Sequence, residues 1–110
     1  MNLNNKKFIT TENKNGLSSN ETIFHYFQDD VLITGKYKGG EIKEGFIVGK
    51  QVEDNKIELL YQCLTTKGEL RAGRSAGTVS KNKEGKLKLE FDWSWLNGDL
   101  SSGKSEYVEI

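Results

Sequence analysis

The stretch KLKLEFDWSW, residues 86–95, decides the fold. Leu87, Leu89, Phe91, Trp93 and Trp95 alternate there with Lys86, Lys88, Glu90, Asp92 and Ser94. Successive side chains of an extended strand point to opposite faces, so the five large apolar residues share one face and the polar ones the other. Helical spacing would scatter them around a cylinder. The segment is predicted to be a strand with one buried and one wet face. Burying five such side chains contributes on the order of 10 kcal/mol before the entropy of ordering is subtracted.

Noisier versions of the same alternation occupy 7–13, 21–28, 31–38, 42–52, 56–66, 69–79 and 104–110. At or near their junctions lie Asp29-Asp30, Gly39-Gly40, Asp54-Asn55, Lys67-Gly68, Glu84-Gly85 and Asn97-Gly98, residue types that accept the dihedrals of tight hairpins. Connections this short join antiparallel neighbours, because a parallel crossover needs a dozen or more residues. The expectation is an all-β chain, an antiparallel up-and-down meander of about eight strands that closes into a barrel and so removes its two edges. Gly35, Gly45, Gly49, Gly73 and Gly77 fall inside strands and are expected to mark bulges or bends. The stretch 13–20 is the one long loop, readable as a solvated connection or as a lid.

With 110 residues, a single domain over 1–110 is expected, since two halves would each be too small to bury a core. Hydrophobic residues at 35% and charged ones at 29% suit sheets that are wet on one side. Sixteen basic residues balance sixteen acidic ones and the signs are interleaved, which argues against nucleic acid as a partner. Cys63 is the only cysteine, so no internal disulfide forms, and a reducing compartment is expected. No secretory signal and no run of membrane-spanning length is apparent, so the reading is cytoplasmic, with no membrane partner.

Five residues are candidates for a binding site. His25, the sole histidine, cannot hold a metal alone, and in the run TIFHYF it reads as a hydrogen-bonded strand residue or as a hydrogen-bonding ligand contact. Tyr61 shares a face with Ile57, Leu59 and Cys63 and is expected to point inward with a hydroxyl that needs a partner. Arg74 alternates with Leu70, Ala72 and Ala76, which suggests an interior guanidinium paired to a carboxylate or to an anionic ligand. Trp93 and Trp95 read either as core plugs or as the wall on which a flat ligand stacks. Glu90 and Asp92, on the wet face, are expected to oppose lysines across a hairpin. The segment 74–79 partly matches an R-x-x-G-x-G/A phosphate cradle, but its last position is Val79 and no helical periodicity follows.

Phe24-His25-Tyr26, Gly39-Gly40-Glu41-Ile42, Thr66-Lys67-Gly68-Glu69-Leu70 and the W-x-W-x-x-G-D run from Trp93 to Asp99 resemble a group of small bacterial proteins that carry the name N-acetylglutamate synthase. The resemblance covers nearly the whole chain and implies acetyl transfer from acetyl-coenzyme A to glutamate. It assigns no catalytic residue, and the residues themselves show neither the helices nor the intact cradle of acetyltransferases. By architecture the chain is similar to the calycins, the small barrels that include lipocalins.

Three functions follow as expectations. The leading one is a module, without metal or cofactor, that binds a small, partly apolar or anionic molecule in the barrel through His25, Tyr61, Arg74, Trp93 and Trp95. The second is the acetyltransferase, and the third a structural or interaction protein that forms a homodimer; the chain is expected to be a monomer or a homodimer.

Overall fold

The computed structural model describes residues 1–13 and 16–110. Eight strands follow one another: β1 (Lys6–Asn13), β2 (Ile23–Asp29), β3 (Leu32–Gly39), β4 (Ile42–Glu53), β5 (Lys56–Thr65), β6 (Leu70–Lys81), β7 (Leu87–Trp95) and β8 (Ser102–Glu109). Each pairs antiparallel with the next, and β1 pairs with β8 through partners such as Ile9 and Val108, closing the barrel. The expected meander is thus observed, with strand ends within two residues of those predicted. β7 behaves as its alternation requires, with Leu87, Leu89, Phe91, Trp93 and Trp95 all buried. On its outer face Asp92 stands opposite Lys104 and pairs with it at 3.4 Å, while Lys88 lies 3.5 Å from Glu90 and 3.7 Å from Glu106.

The strand glycines serve a purpose other than the one expected. Register shifts fall between Thr10 and Glu12, Tyr37 and Gly39, Ile42 and Glu44, and Gln51 and Glu53, not at the five glycines. Gly45, Gly73 and Gly77 instead face the interior directly opposite Tyr37, Tyr61 and Phe91, and a Cβ on any of them would collide with the partner's ring. Gly49 stands in the same relation to Leu59. In a barrel this narrow, rings lie flat over positions that have no side chain.

The two ends of the barrel differ. At one end the N-terminal residues cross beneath the strands, and Leu3 is fully buried together with Phe8, Ile33, Ile57 and Leu89. Polar groups there are matched: the Leu3 amide donates to Gln28 Oε1 at 2.9 Å, Gln28 Nε2 donates to Gln51 Oε1 at 2.8 Å, and Gln51 Nε2 donates to the Glu53 carbonyl at 3.1 Å. Glu109 accepts from the Leu87 amide at 3.0 Å and from Lys6 Nζ at 3.2 Å, bonds that hold its carboxyl below the usual glutamate range. The other end, where β1–β2, β3–β4, β5–β6 and β7–β8 connect, is less completely filled.

Candidate functional site

At that less-filled end the barrel holds a cavity of about 50 Å³. A water molecule needs roughly 10–15 Å³ of such space, so there is room for only a few. The walls are aromatic. Phe24 stacks on Tyr37 with centroids 4.9 Å apart, Trp93 meets Trp95 edge-on at 5.8 Å, and Tyr61 meets Trp95 at 5.6 Å. Ser75, Ser105, Tyr107 and Asn13 add polar edges. Gly16, Leu17 and Ser18 also line the cavity, with half-buried Leu17 packed against the core. Of the loop read as a possible lid, Lys14 and Asn15 lie outside the described residues.

Polar groups in this cavity are poorly matched. Among the described residues, Asn13 Oδ1, Tyr37 Oη, Trp93 Nε1 and Ser105 Oγ are buried and make no well-formed hydrogen bond, although the Cys63 thiol lies near Tyr37 and the Tyr107 hydroxyl near Ser105. All four belong to the cavity wall. A buried polar group left unsatisfied costs about 1–3 kcal/mol, so four around one space form a prepared set of donors and acceptors. Asn13 is itself positioned, its Nδ2 donating to Ser18 Oγ at 2.9 Å and to the Ser18 carbonyl at 3.1 Å. Burial pushes the phenols of Tyr26, Tyr37, Tyr61 and Tyr107 upward, so they remain protonated donors through the neutral range. Burial likewise raises the Cys63 thiol.

At the same end of the barrel an arginine packs on Trp95 without itself lining the cavity. Arg71 Cζ lies 4.3 Å from the centre of the Trp95 ring, and Nη2 reaches Asp99 Oδ1 at 3.4 Å. Gly98, with φ of 72°, lies so close that a Cβ there would meet the guanidinium. Asn97 clips the start of β6 by accepting from the Ala72 amide at 2.9 Å and donating to the Leu70 carbonyl at 3.0 Å. Ser101 donates its amide to Asp99 at 2.9 Å, and this bond, with Arg71 adding a smaller effect, holds the Asp99 carboxyl low. The W-x-W-x-x-G-D run is thereby accounted for: Trp93 and Trp95 form walls, while Asn97, Gly98 and Asp99 seat Arg71.

The structure brings three of the five sequence candidates together. Tyr61, Trp93 and Trp95 line the cavity. His25 does not reach it: its ring sits on the outer face, 2.8 Å from Asn5 Oδ1 and 4.4 Å from the Phe27 ring. Arg74, expected inside, is also outside. Gly73, Ser75 and Val79 form the buried face of β6, so Arg74 projects outward with Ala76, beside a groove of about 340 Å³ bordered by Val48, Lys50, Glu58 and Leu60. The misreading came from Gly73 and Gly77, which resemble a surface pattern until the rings opposite them are known. The cradle-like segment 74–79 runs through the middle of β6 as plain strand. Tyr37, Asn13, Ser105 and Arg71 were not singled out from sequence; Tyr37 alternates with Ile33 and Gly35, which is a usable signal, whereas Asn13 and Ser105 look like surface residues.

A closed eight-stranded up-and-down barrel with an aromatic, hydroxyl-rich cavity at one end is a calycin-like barrel. The sequence model of the family described as avidin-like protein matches residues 1–110, and the chain belongs to that family. No curated protein and no solved structure matches it.

Proposed function

We propose that this protein binds a small, flat, partly polar molecule in the cavity at the Trp95 end of the barrel. The observation that carries the reading is the convergence of Asn13 Oδ1, Tyr37 Oη, Trp93 Nε1 and Ser105 Oγ on one aromatic-walled space, all buried and none in a well-formed hydrogen bond among the described residues. Such groups reward a ligand that offers matching donors and acceptors. Avidin-like proteins bind biotin-like ligands, which supports a compact heterocycle as the occupant. Pockets for drug-sized ligands enclose roughly 300–1,000 Å³, so a ligand of biotin's size enters by displacing Leu17 from the mouth.

Both tryptophans of the chain line the cavity, so intrinsic fluorescence reports on this site. Titration with biotin, desthiobiotin and a panel of small metabolites is expected to give a saturable fluorescence change and a raised melting temperature, since a ligand at 100 times its Kd stabilises by about 2.7 kcal/mol. Indifference to every compound would overturn the reading. Acetyl transfer to glutamate rests on the resemblance alone, and an assay for thiol released from acetyl-coenzyme A tests it. The buried free thiol of Cys63 supports a cytoplasmic setting.

A second reading concerns assembly. Phe46, Val48 and Leu60 stand about half exposed on the outer face of β4 and β5, bordered by Lys50, Glu58 and Arg74. An apolar centre edged by both signs of charge is self-complementary under a two-fold rotation, which favours a homodimer through this face. Light scattering is expected to give a dimer that Leu60→Glu converts to monomer; a wild-type monomer at all concentrations removes the proposal.

A further inference from the structure

We propose that Cys63 is a positioning residue for the binding site: its sulfur holds the Tyr37 hydroxyl weakly in the free protein and yields it to an acceptor on the ligand. This rests on the binding function proposed above and adds the residue that keeps one of the cavity's donors on offer.

Tyr37, Gly45 and Cys63 stand side by side on β3, β4 and β5. A Cβ on Gly45 would fall on the Cζ end of the Tyr37 ring, so the phenol lies across β4 and carries its hydroxyl toward Cys63. The thiol lies beside that hydroxyl, and both residues are sealed from water, Cys63 at 4% and Tyr37 at 5% exposed. Phe24 stacks on the same ring at 4.9 Å, which fixes the ring and leaves the hydroxyl free only to rotate about Cζ–Oη. Arg71, opposite Cys63 on β6, carries donors alone and cannot accept the phenol proton.

An oxygen at the position of the sulfur would engage the hydroxyl permanently. A thiol is a weak acceptor, and Tyr37 Oη makes no well-formed hydrogen bond among the described residues although it is buried. Tyr37 also lines the cavity, while Cys63 stands behind it and is not part of the wall. The hydroxyl is thus kept from water and left with a neighbour that an oxygen on a ligand outcompetes, since a buried donor gains most from its first good acceptor. Cys63 acts on the ligand only through Tyr37.

Cys63 is the sole cysteine, so the S–H stretching band in the infrared reads this contact without any ligand. The band is expected to shift when Tyr37→Phe removes the hydroxyl; an unmoved band overturns the inference and leaves the binding function standing. Affinity for biotin then separates a positioning role from a structural one. Cys63→Ser offers the hydroxyl a stronger acceptor and is expected to weaken binding by about three- to tenfold. Cys63→Ala leaves the hydroxyl without a neighbour and is expected to tighten binding by up to about threefold. Both changes are expected to vanish in a Tyr37→Phe background. A structural cysteine would give the same ratios in both backgrounds, and that result also overturns the inference. Should Cys63→Ser fail to fold, Cys63→Ala carries the comparison alone. If the band shifts but neither biotin nor any compound of the metabolite panel binds, the binding function falls and the positioning role falls with it.

Discussion

The two ends of this barrel are made by the same eight strands and are finished by different chemistry. Beneath the strands, Leu3, Phe8, Ile33, Ile57 and Leu89 are fully buried, and Gln28 and Gln51 link the N-terminal segment and the turns through matched hydrogen bonds. At the opposite end the packing includes Asn13, Tyr37, Trp93 and Ser105 with buried atoms that make no well-formed hydrogen bond. Thr10, Arg71 and Ser101 carry the other unmatched buried side-chain atoms among the described residues. Stability is concentrated at one end, and the capacity for recognition at the other.

That contrast breaks most visibly where the packing is tightest. Leu89→Ala is expected to remove about 2–5 kcal/mol of unfolding free energy, because a fully buried leucine leaves a cavity that its neighbours only partly close. Urea unfolding measures it, and a loss under about 1 kcal/mol would show that the filled end is not the rigid one.

Alkaline pH probes the cavity end instead. All four tyrosines have phenols raised by burial, and the Cys63 thiol is raised as well. Above their ordinary values the unfolded chain releases these protons and the folded chain keeps them, so the native state binds more protons and stability falls as pH rises. Melting temperature is expected to hold through the neutral range and decline beyond about pH 9–10, with the rise in tyrosinate absorbance delayed until unfolding. A normal tyrosinate titration in the folded state would show that the aromatic wall is open to water.

The smallest change in stability is expected from Tyr37→Phe. Removing a buried hydroxyl that has no well-formed bond leaves the free protein unchanged or more stable by up to about 1 kcal/mol. Affinity for a cavity ligand drops in the same variant. A variant that lost stability and kept its affinity would reverse the roles assigned to the two ends.

Much of this was legible before any coordinates. Period-two alternation and turn residues located every strand, because burying one face of a sheet imposes that pattern directly. Trp93, Trp95 and Tyr61 followed from the same parity. β6 misled because its interior face is Gly73, Ser75 and Gly77, whose smallness answers rings on β5 and β7; a single strand does not display what lies across from it. Arg71 was hidden for a related reason. Its seat comes from Trp95, Gly98 and Asp99, more than twenty residues later in the chain, and neither segment alone reveals the pairing.

The glycines that lie under rings have a consequence for how such a barrel drifts. Gly45 with Tyr37, Gly73 with Tyr61 and Gly77 with Phe91 are each one volume shared by two positions on neighbouring strands. Neither member can grow unless the other shrinks in the same step, so these sites change as couples or stay as they are. Because Tyr37, Tyr61 and Phe91 line the cavity, each exchange would also reshape the space offered to a ligand. The barrel wall and its binding preference are therefore coupled, and altering the ligand means moving along pairs of substitutions rather than single ones.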